Sequence, residues 1–368
     1  MSFYDEYEKL KELPFDRYFQ DFTEIDVRRV LQKQRMTPED LLVLLSPAAE
    51  NLLEDIAQKA HELTVQHFGK TILLFNPIYI ADHCVNLCTY CSFSVTNQFQ
   101  RSKLSMEQIE VEAKALADLG LKHILVLTGE SKTHTPVSYI ADSIRVLKKY
   151  FPSVAIEINP LETDEYKQLV EAGVDGLTVY QEVYNEEIYK SVHVKGPKRD
   201  YRFRMDTPER GCEAGIRQIN VGALLGLDDW RKEAFFAAMH ARYLQKKYLD
   251  AEISLSLPRI RPHLGDYEPR SIVEDRHLVQ AITAFRLFLP RAGITLSTRE
   301  PEELRDNLIY LGVTKMSAGA STEVGGYSNC DAGTAQFEIS DERSLAEVQQ
   351  MIRDKGYQPV LKDWELLV

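Results

Sequence analysis

The chain has 368 residues, 44% of them apolar and 27% charged, with 44 basic against 56 acidic side chains and a formal charge of −12. That composition supplies a full globular core and excludes a disordered, collagen-like or small disulfide-stapled protein. The acidic balance argues against a broad nucleic-acid surface, which needs a basic footprint, and no apolar stretch approaches the ~20 residues of a membrane span. The N-terminus, MSFYDEYEKLKELPFDRYF, is charged throughout and has no apolar signal core, so the chain is expected to be cytoplasmic.

The first 70 residues are predicted to be helical. Segments 5–13 and 25–34 form two helices, and a third opens at Thr37-Pro38-Glu39, where Thr37 can cap and Pro38 can take the first helical position. A fourth, 48–68, carries Leu52, Ile56, Ala60 and Leu63 at the spacing of a buried stripe. From Thr71 the texture changes to short β-rich runs at 71–80, 123–129, 154–160, 176–183, 218–226, 252–260, 293–300 and 313–319. Most are near-continuous apolar runs, as parallel strands covered on both faces require. Helical patterns lie between them at 106–119, 137–150, 164–172, 207–214, 230–248, 274–288 and 302–310. Glycines 120, 173, 215, 293 and 312 read as stop signals before the next strand.

Eight strands alternating with helices, repeating every 35 residues or so, predict an α/β chain folded as a (β/α)8 TIM-type barrel. An open doubly wound sheet is the runner-up. The expected division is a helical N-terminal extension over 1–70, the barrel over 71–320, and a short C-terminal extension over 321–368 with a helix near 344–355. In a barrel, chemistry belongs on the loops that follow the strands' C-terminal ends.

The first of those loops carries three of the five cysteines, Cys84, Cys88 and Cys91, in the segment ADHCVNLCTYCSF (81–93); Cys212 and Cys330 stand apart. Three thiolates spaced C-x3-C-x2-C can hold three irons of a 4Fe–4S cluster and leave the fourth without a protein ligand. An open position of that kind is what inner-sphere catalysis needs. A structural zinc is the alternative; it would require a fourth donor, for which Cys212 or Cys330 could serve.

CVNLCTYC, with the aromatic Tyr90 between Cys88 and Cys91, resembles the motif of the radical S-adenosylmethionine (SAM) superfamily. The resemblance implies a 4Fe–4S cluster whose open iron is chelated by the amine and carboxylate of SAM. One electron then splits the sulfonium to release a 5′-deoxyadenosyl radical. It also implies roles outside the loop. Glu130 in LTGES (127–131) would contact the SAM amino group, and Glu182 in YQEVYN (180–185) would accept from its ribose hydroxyls. Arg204 in DYRFRMDTPER (200–210) would hold its carboxylate, with Arg202 as the alternative. Taken alone, Glu130 reads as an acid at a helix N-terminus, and the two arginines as surface partners of Asp200, Asp206 or Glu209.

Further segments, among them VDGLTVYQEVYN, GALLGLDDWR, LSLPRIRP, LSTRE, SAGASTEVGGY and PVLKDW, resemble the thiamine-pathway tyrosine lyases of this superfamily. That resemblance implies hydrogen abstraction from the amino group of L-tyrosine, then Cα–Cβ cleavage to 4-cresol and dehydroglycine (2-iminoacetate). Arg299 is the candidate for tyrosine's carboxylate, since a guanidinium offers a planar fork; the competing reading is an ion pair with Glu300 or Glu303. Tyr90 and Ser321 are candidate contacts to the amino-acid head group. Glu157, Glu182 and His263 are candidate bases for the phenol. A one-electron donor such as flavodoxin and delivery to thiazole synthase are the implied partners.

Two relatives remain open alternatives: a tryptophan lyase, and the hydrogenase-maturation tyrosine lyase, whose C-terminal domain carries three further cysteines where this chain has only Cys330 after residue 320. Outside enzymology, the alternative is an iron–sulfur electron carrier, although carriers usually ligate every iron.

Overall fold

The computed structural model describes residues 2–328 and 333–362, so Cys330 lies outside the described residues. Eight parallel strands follow one another around a barrel: β1 (Thr71–Ala81), β2 (His123–Thr128), β3 (Ser153–Glu157), β4 (Gly176–Glu182), β5 (Gln218–Ala223), β6 (Glu252–Ser256), β7 (Gly293–Leu296) and β8 (Lys315–Ser317). The last returns to the first, with Leu73 opposite Lys315 and Phe75 opposite Ser317, so the sheet closes. The (β/α)8 expectation therefore holds and the open-sheet reading falls. Each strand starts within two residues of its predicted segment, and all but β1 end early. The residues that leave the ladder form the mouth.

The local signals act as expected at several ends. Thr37 accepts the Asp40 N–H at 3.3 Å, Asp40 answers the Thr37 N–H at 2.8 Å, and Pro38 takes the first helical position. Gly173 closes the helix Thr163–Ala172 in the left-handed conformation, φ 115°. Gly293 differs: it opens β7, while the preceding helix ends at Phe288.

Other elements were not foreseen. The predicted 48–68 helix is two, Pro47–Glu50 and Leu53–Phe68, broken where Leu52 leaves helical geometry. Short helices Glu186–Val192 and Tyr201–Met205 lie where no helix was predicted, and Phe15–Asp21 is a further helix within the helical N-terminal extension. Leu87–Cys88 pairs antiparallel with His193–Lys195. A tail strand, β9 (Gln358–Val360), adds to the overhanging start of β1, Thr71 opposite Gln358.

The N-terminal helices pack on the barrel's outer helices. Helix Leu53–Phe68 lies against Asp275–Phe288, and Pro38–Leu45 lies against both Asp275–Phe288 and Trp230–Lys247. Phe3 stacks on His240 with ring centroids 4.1 Å apart. Tyr7 donates its hydroxyl to the carbonyl of Tyr184 at 2.5 Å, as does Tyr201, and Glu233 accepts the Tyr184 N–H at 2.7 Å. The loop leaving β4 is thus pinned from three elements, one of them the N-terminal extension.

The tail is latched by charge. Arg305 and Asp341, both fully buried, form an ion pair, and Arg305 also donates to the carbonyl of Ser317 at the end of β8. Removing one partner of a buried pair strands the other, a cost of about 3–5 kcal/mol. Asp341→Ala is therefore expected to lower the urea midpoint of the cluster-loaded protein with the slope unchanged. An unaltered midpoint would show the latch to be energetically idle. Among the described residues, no helix is long and apolar enough to cross a membrane.

Candidate active site at the barrel mouth

The cysteine loop leaves β1 and is held by its own backbone contacts. Arg101 donates to the carbonyls of Asp82, Phe93 and Ser94 at 2.8, 3.0 and 2.7 Å. Thr89 N–H reaches Val192 O at 3.0 Å, and Val85 N–H reaches Glu130 O at 2.9 Å. Gly129 lies so close to the carbonyl of His83 that no Cβ would fit there. The loop after β2 therefore abuts the cysteine loop, which brings Glu130 to it.

Cys88 is buried, and Cys84 and Cys91 are half-buried. Burial pushes the Cys88 and Cys91 thiols up, although the neighbouring Lys198 ammonium pulls both down. A bound metal supplies the positive charge that such thiols need to become thiolates. Among the described residues, no three His, Cys, Asp or Glu side chains converge on a single ion. A cluster asks for no such convergence, because each thiolate takes a different iron, whereas zinc needs its donors about one point. Cys212 sits on another helix, Thr207–Glu213, near Glu209, Glu213 and Lys247, and does not complete a zinc site. The donor set fits a cluster held by Cys84, Cys88 and Cys91.

Beside the thiols lies a polar network. Asn86 donates to Glu130 Oε2 at 2.6 Å, points its amide at Cys84 Sγ at 3.8 Å, and accepts the Lys198 N–H at 3.0 Å. The Lys198 ammonium meets Glu182 Oε1 at 2.6 Å, and Arg204 reaches the same oxygen at 3.2 Å while donating to Tyr180 O at 2.8 Å. Burial pushes the Glu182 carboxyl up, but the two cations outweigh it and hold it below the ordinary range. Glu182 also has φ of +71°, the only positive value among the described non-glycine residues. Such strain of ~1–3 kcal/mol gathers at functional sites. Of the two candidate arginines, Arg204 keeps 10% of its side chain exposed, whereas Arg202 keeps 60% and pairs with Asp206.

Above the network a cavity runs into the barrel, its empty space about 1010 Å³ with the solvent at its open mouth counted in. It is lined by Tyr90, Cys91, Glu157, Glu182, Lys198, Arg299, Gln336 and Phe337, with Phe75, Pro77 and Leu125 also among its walls. Tyr90 donates its hydroxyl to His193 Nε2 at 2.6 Å, and His193 Nδ1 meets Tyr189 O at 2.9 Å. Burial, helped by Lys198 and Arg204, pushes the His193 imidazole well below its usual range, so it stays neutral and accepts.

The guanidinium carbon of Arg299 sits over the Phe337 ring, 3.3 Å from its centroid, and the side chain makes one long bond to the Arg259 carbonyl at 3.5 Å. The expected competitor is taken: Glu300 binds Arg259. Among the described residues no carboxylate pairs with Arg299. Ser321 is turned away; its Oγ accepts from Glu323 N–H at 3.3 Å and fills the space beside Gly326, while its neighbour Thr322 lines the cavity.

Of the three candidate bases, Glu182 is ion-paired and His263 lies outside the lining. Glu157 faces the cavity with no hydrogen-bond partner among the described residues. Burial, then the charge of Glu182, raises its carboxyl to about 7, against the pull of Arg299. A carboxyl raised on folding stabilises the fold fully only below its unfolded value, near 4.5, and loses that contribution as pH climbs through 7. Glu157→Gln is accordingly expected to raise the ligand-free melting temperature at pH 8 and to leave it unchanged at pH 5; equal gains at both would contradict the burial of that charge.

Lys198, Asn86, His193, Gln336 and Phe337 were not singled out from the sequence. The glutamine joins both sides of the cavity, accepting from the Tyr79 hydroxyl at 2.7 Å and directing its amide toward Cys91 Sγ at 4.0 Å. No spacing in the chain announces such long-range partners.

Residues 78–239 match the model of the radical SAM superfamily, and residues 256–358 match that of the biotin and thiamin synthesis associated domain. The chain is 41% identical to the 2-iminoacetate synthase of Escherichia coli K12 over 344 residues, covering 93% of this chain and 91% of that one. The X-ray structure of the FeFe-hydrogenase maturase HydG from Carboxydothermus hydrogenoformans superposes with a TM-score of 0.85 at 32% identity, covering 98% of this chain and 83% of that one. A second structure of a HydG maturase gives 0.86 at 31% identity, covering 97% of this chain and 79% of that one.

Proposed function

The chain belongs to the radical SAM superfamily and, within it, to the 2-iminoacetate synthases, and from that premise we propose that it breaks the Cα–Cβ bond of L-tyrosine in the cavity between Arg299 and the cysteine loop. The products are 4-cresol and dehydroglycine, the latter a precursor of the thiamine thiazole. One observation carries the assignment of the cavity: a half-buried guanidinium, without a carboxylate partner among the described residues, faces the same cavity as Cys91.

When bound, a 4Fe–4S cluster on Cys84, Cys88 and Cys91 together with SAM supplies a 5′-deoxyadenosyl radical able to take a hydrogen from an amino group. The protein's part is to place the reactants. Glu130 and Arg204 would hold the head group of SAM and Glu182 its ribose; Lys198 keeps Glu182 ionised and oriented. Arg299 takes the tyrosine carboxylate through two parallel hydrogen bonds, its plane set by Phe337. The aromatic ring then points into the barrel among Phe75, Pro77 and Leu125. Tyr90, on the cluster loop itself and fixed by His193, lines the cavity and keeps the amino hydrogen aimed, a matter in which small displacements cost rate steeply. Residues 71–320 carry the chemistry in this reading, the N-terminal extension braces the loop after β4, and the C-terminal extension lends Thr322, Gln336 and Phe337 to the cavity wall. A donor such as flavodoxin supplies the electron, and thiazole synthase receives the labile dehydroglycine.

The test is anaerobic reconstitution followed by dithionite, SAM and L-tyrosine. The expected result is 4-cresol and glyoxylate, the hydrolysis product of dehydroglycine, formed in step with 5′-deoxyadenosine. Cyanide from tyrosine would move the chain to the maturase reaction, and a skatole-type product from tryptophan would move it to a tryptophan lyase.

A further inference from the structure

An amino acid entering this cavity is a zwitterion, and Arg299 answers only half of it. The cavity contains one carboxylate without a partner among the described residues, Glu157, the last residue of β3. Of the remaining charges facing the space, Glu182 holds Lys198 and Arg204, while Arg261 donates to the neutral Ser340 hydroxyl and, like Arg299, pairs with no carboxylate among the described residues. Glu157 and Arg299 feel each other's charge, yet form no ion pair. Two opposite, half-buried charges that face one cavity without pairing leave a gap suited to a group bearing a cation and an anion on the same carbon. Each is costly alone in a low dielectric and is relieved when that group arrives.

We propose that Glu157 receives the α-amino group of the substrate and makes the cavity specific for α-amino acids. The inference rests on the reading of Arg299 as the carboxylate anchor. It gives Glu157 a place at the head group instead of at the phenol, for a geometric reason. Glu157 ends its strand at the mouth, and the charges acting on it, Glu182, Arg299, Arg204 and Lys198, cluster at that same end. The deeper walls, Phe75, Pro77 and Leu125, are apolar and suit the ring. The raised carboxyl agrees with a site that waits for a cation. Oriented by hydrogen bonds to Glu157, the amine presents its remaining hydrogen toward Tyr90 and the cluster loop.

The experiment is anaerobic calorimetric titration of cluster-loaded, SAM-bound and unreduced enzyme, in which nothing turns over. The probes are L-tyrosine, L-phenylalanine and 3-(4-hydroxyphenyl)propanoate, which is tyrosine without its amino group. Wild type is expected to prefer tyrosine to the deaminated acid by about thirtyfold or more, the scale of losing one partner of a buried charged hydrogen bond. Glu157→Gln should reduce that preference nearly to unity while keeping the preference for tyrosine over phenylalanine. Glu157→Asp, which retains the charge one methylene short, should retain part of it. An amino-group preference that survives in Glu157→Gln overturns the proposal. So does a loss confined to the tyrosine–phenylalanine preference, which would place the carboxylate at the phenol. If wild type binds tyrosine with the expected preference but yields no 4-cresol on reduction, the lyase reading fails while amino-group recognition by Glu157 stands.

Discussion

Cys88→Ala is expected to leave a folded chain that cleaves no SAM. Each thiolate of the loop takes its own iron, so losing one leaves two anchors for a cluster that already has one corner free of protein. Cys88 is the most enclosed of the three, 6% exposed and set opposite His193 in the small antiparallel ribbon. The ribbon's backbone bonds do not depend on its sulfur, so the fold should lose only ~1–2 kcal/mol of the ~5–15 available. Iron and sulfide content should fall to background, and 5′-deoxyadenosine under dithionite should vanish with them. Retention of both in a variant with an unshifted urea midpoint would remove this loop from the redox centre.

Arg299→Ala should instead strike the substrate. The side chain supplies a desolvated guanidinium to a carboxylate, and removing one partner of such a pair costs about 2–5 kcal/mol. A fall in kcat/KM for 4-cresol formation of about a thousandfold is therefore expected, at roughly 1.4 kcal/mol per factor of ten. Because tyrosine would then sit loosely, the ratio of 5′-deoxyadenosine to 4-cresol should rise. Arg299→Lys should recover little. A lysine carries the charge, but it lacks the plane that stacks on Phe337 and the fork that binds both carboxylate oxygens. Unchanged tyrosine kinetics in either variant would place the carboxylate elsewhere, with Arg261, which also lines the cavity, next to be tried.

These two variants probe features of different visibility. The thiol trio occupies eight consecutive positions, and the alternation of apolar strands with capped helices repeats along the chain. Both are short-range properties, set by strand burial on two faces and by a ligand loop that carries its own donors. They could be read without a structure, and so could the family resemblance. Arg299 is another matter. Its immediate neighbour Glu300 looks like its partner in the sequence, yet it reaches across the mouth to Arg259. That swap leaves one guanidinium available.

Lys198, 16 residues beyond Glu182, and His193, 103 residues beyond Tyr90, become contacts only because the segment between β4 and β5 folds back over the cysteine loop. Ser321 shows the converse, since in the loop after β8 its hydroxyl packs beside Gly326 while the adjacent Thr322 lines the cavity. Periodicity and cofactor ligation are written locally because neighbouring residues satisfy them together. Pairing among charges at the mouth depends on which strand ends meet when the barrel closes, and in a low dielectric each ion takes the partner that geometry brings, not the one nearest along the chain.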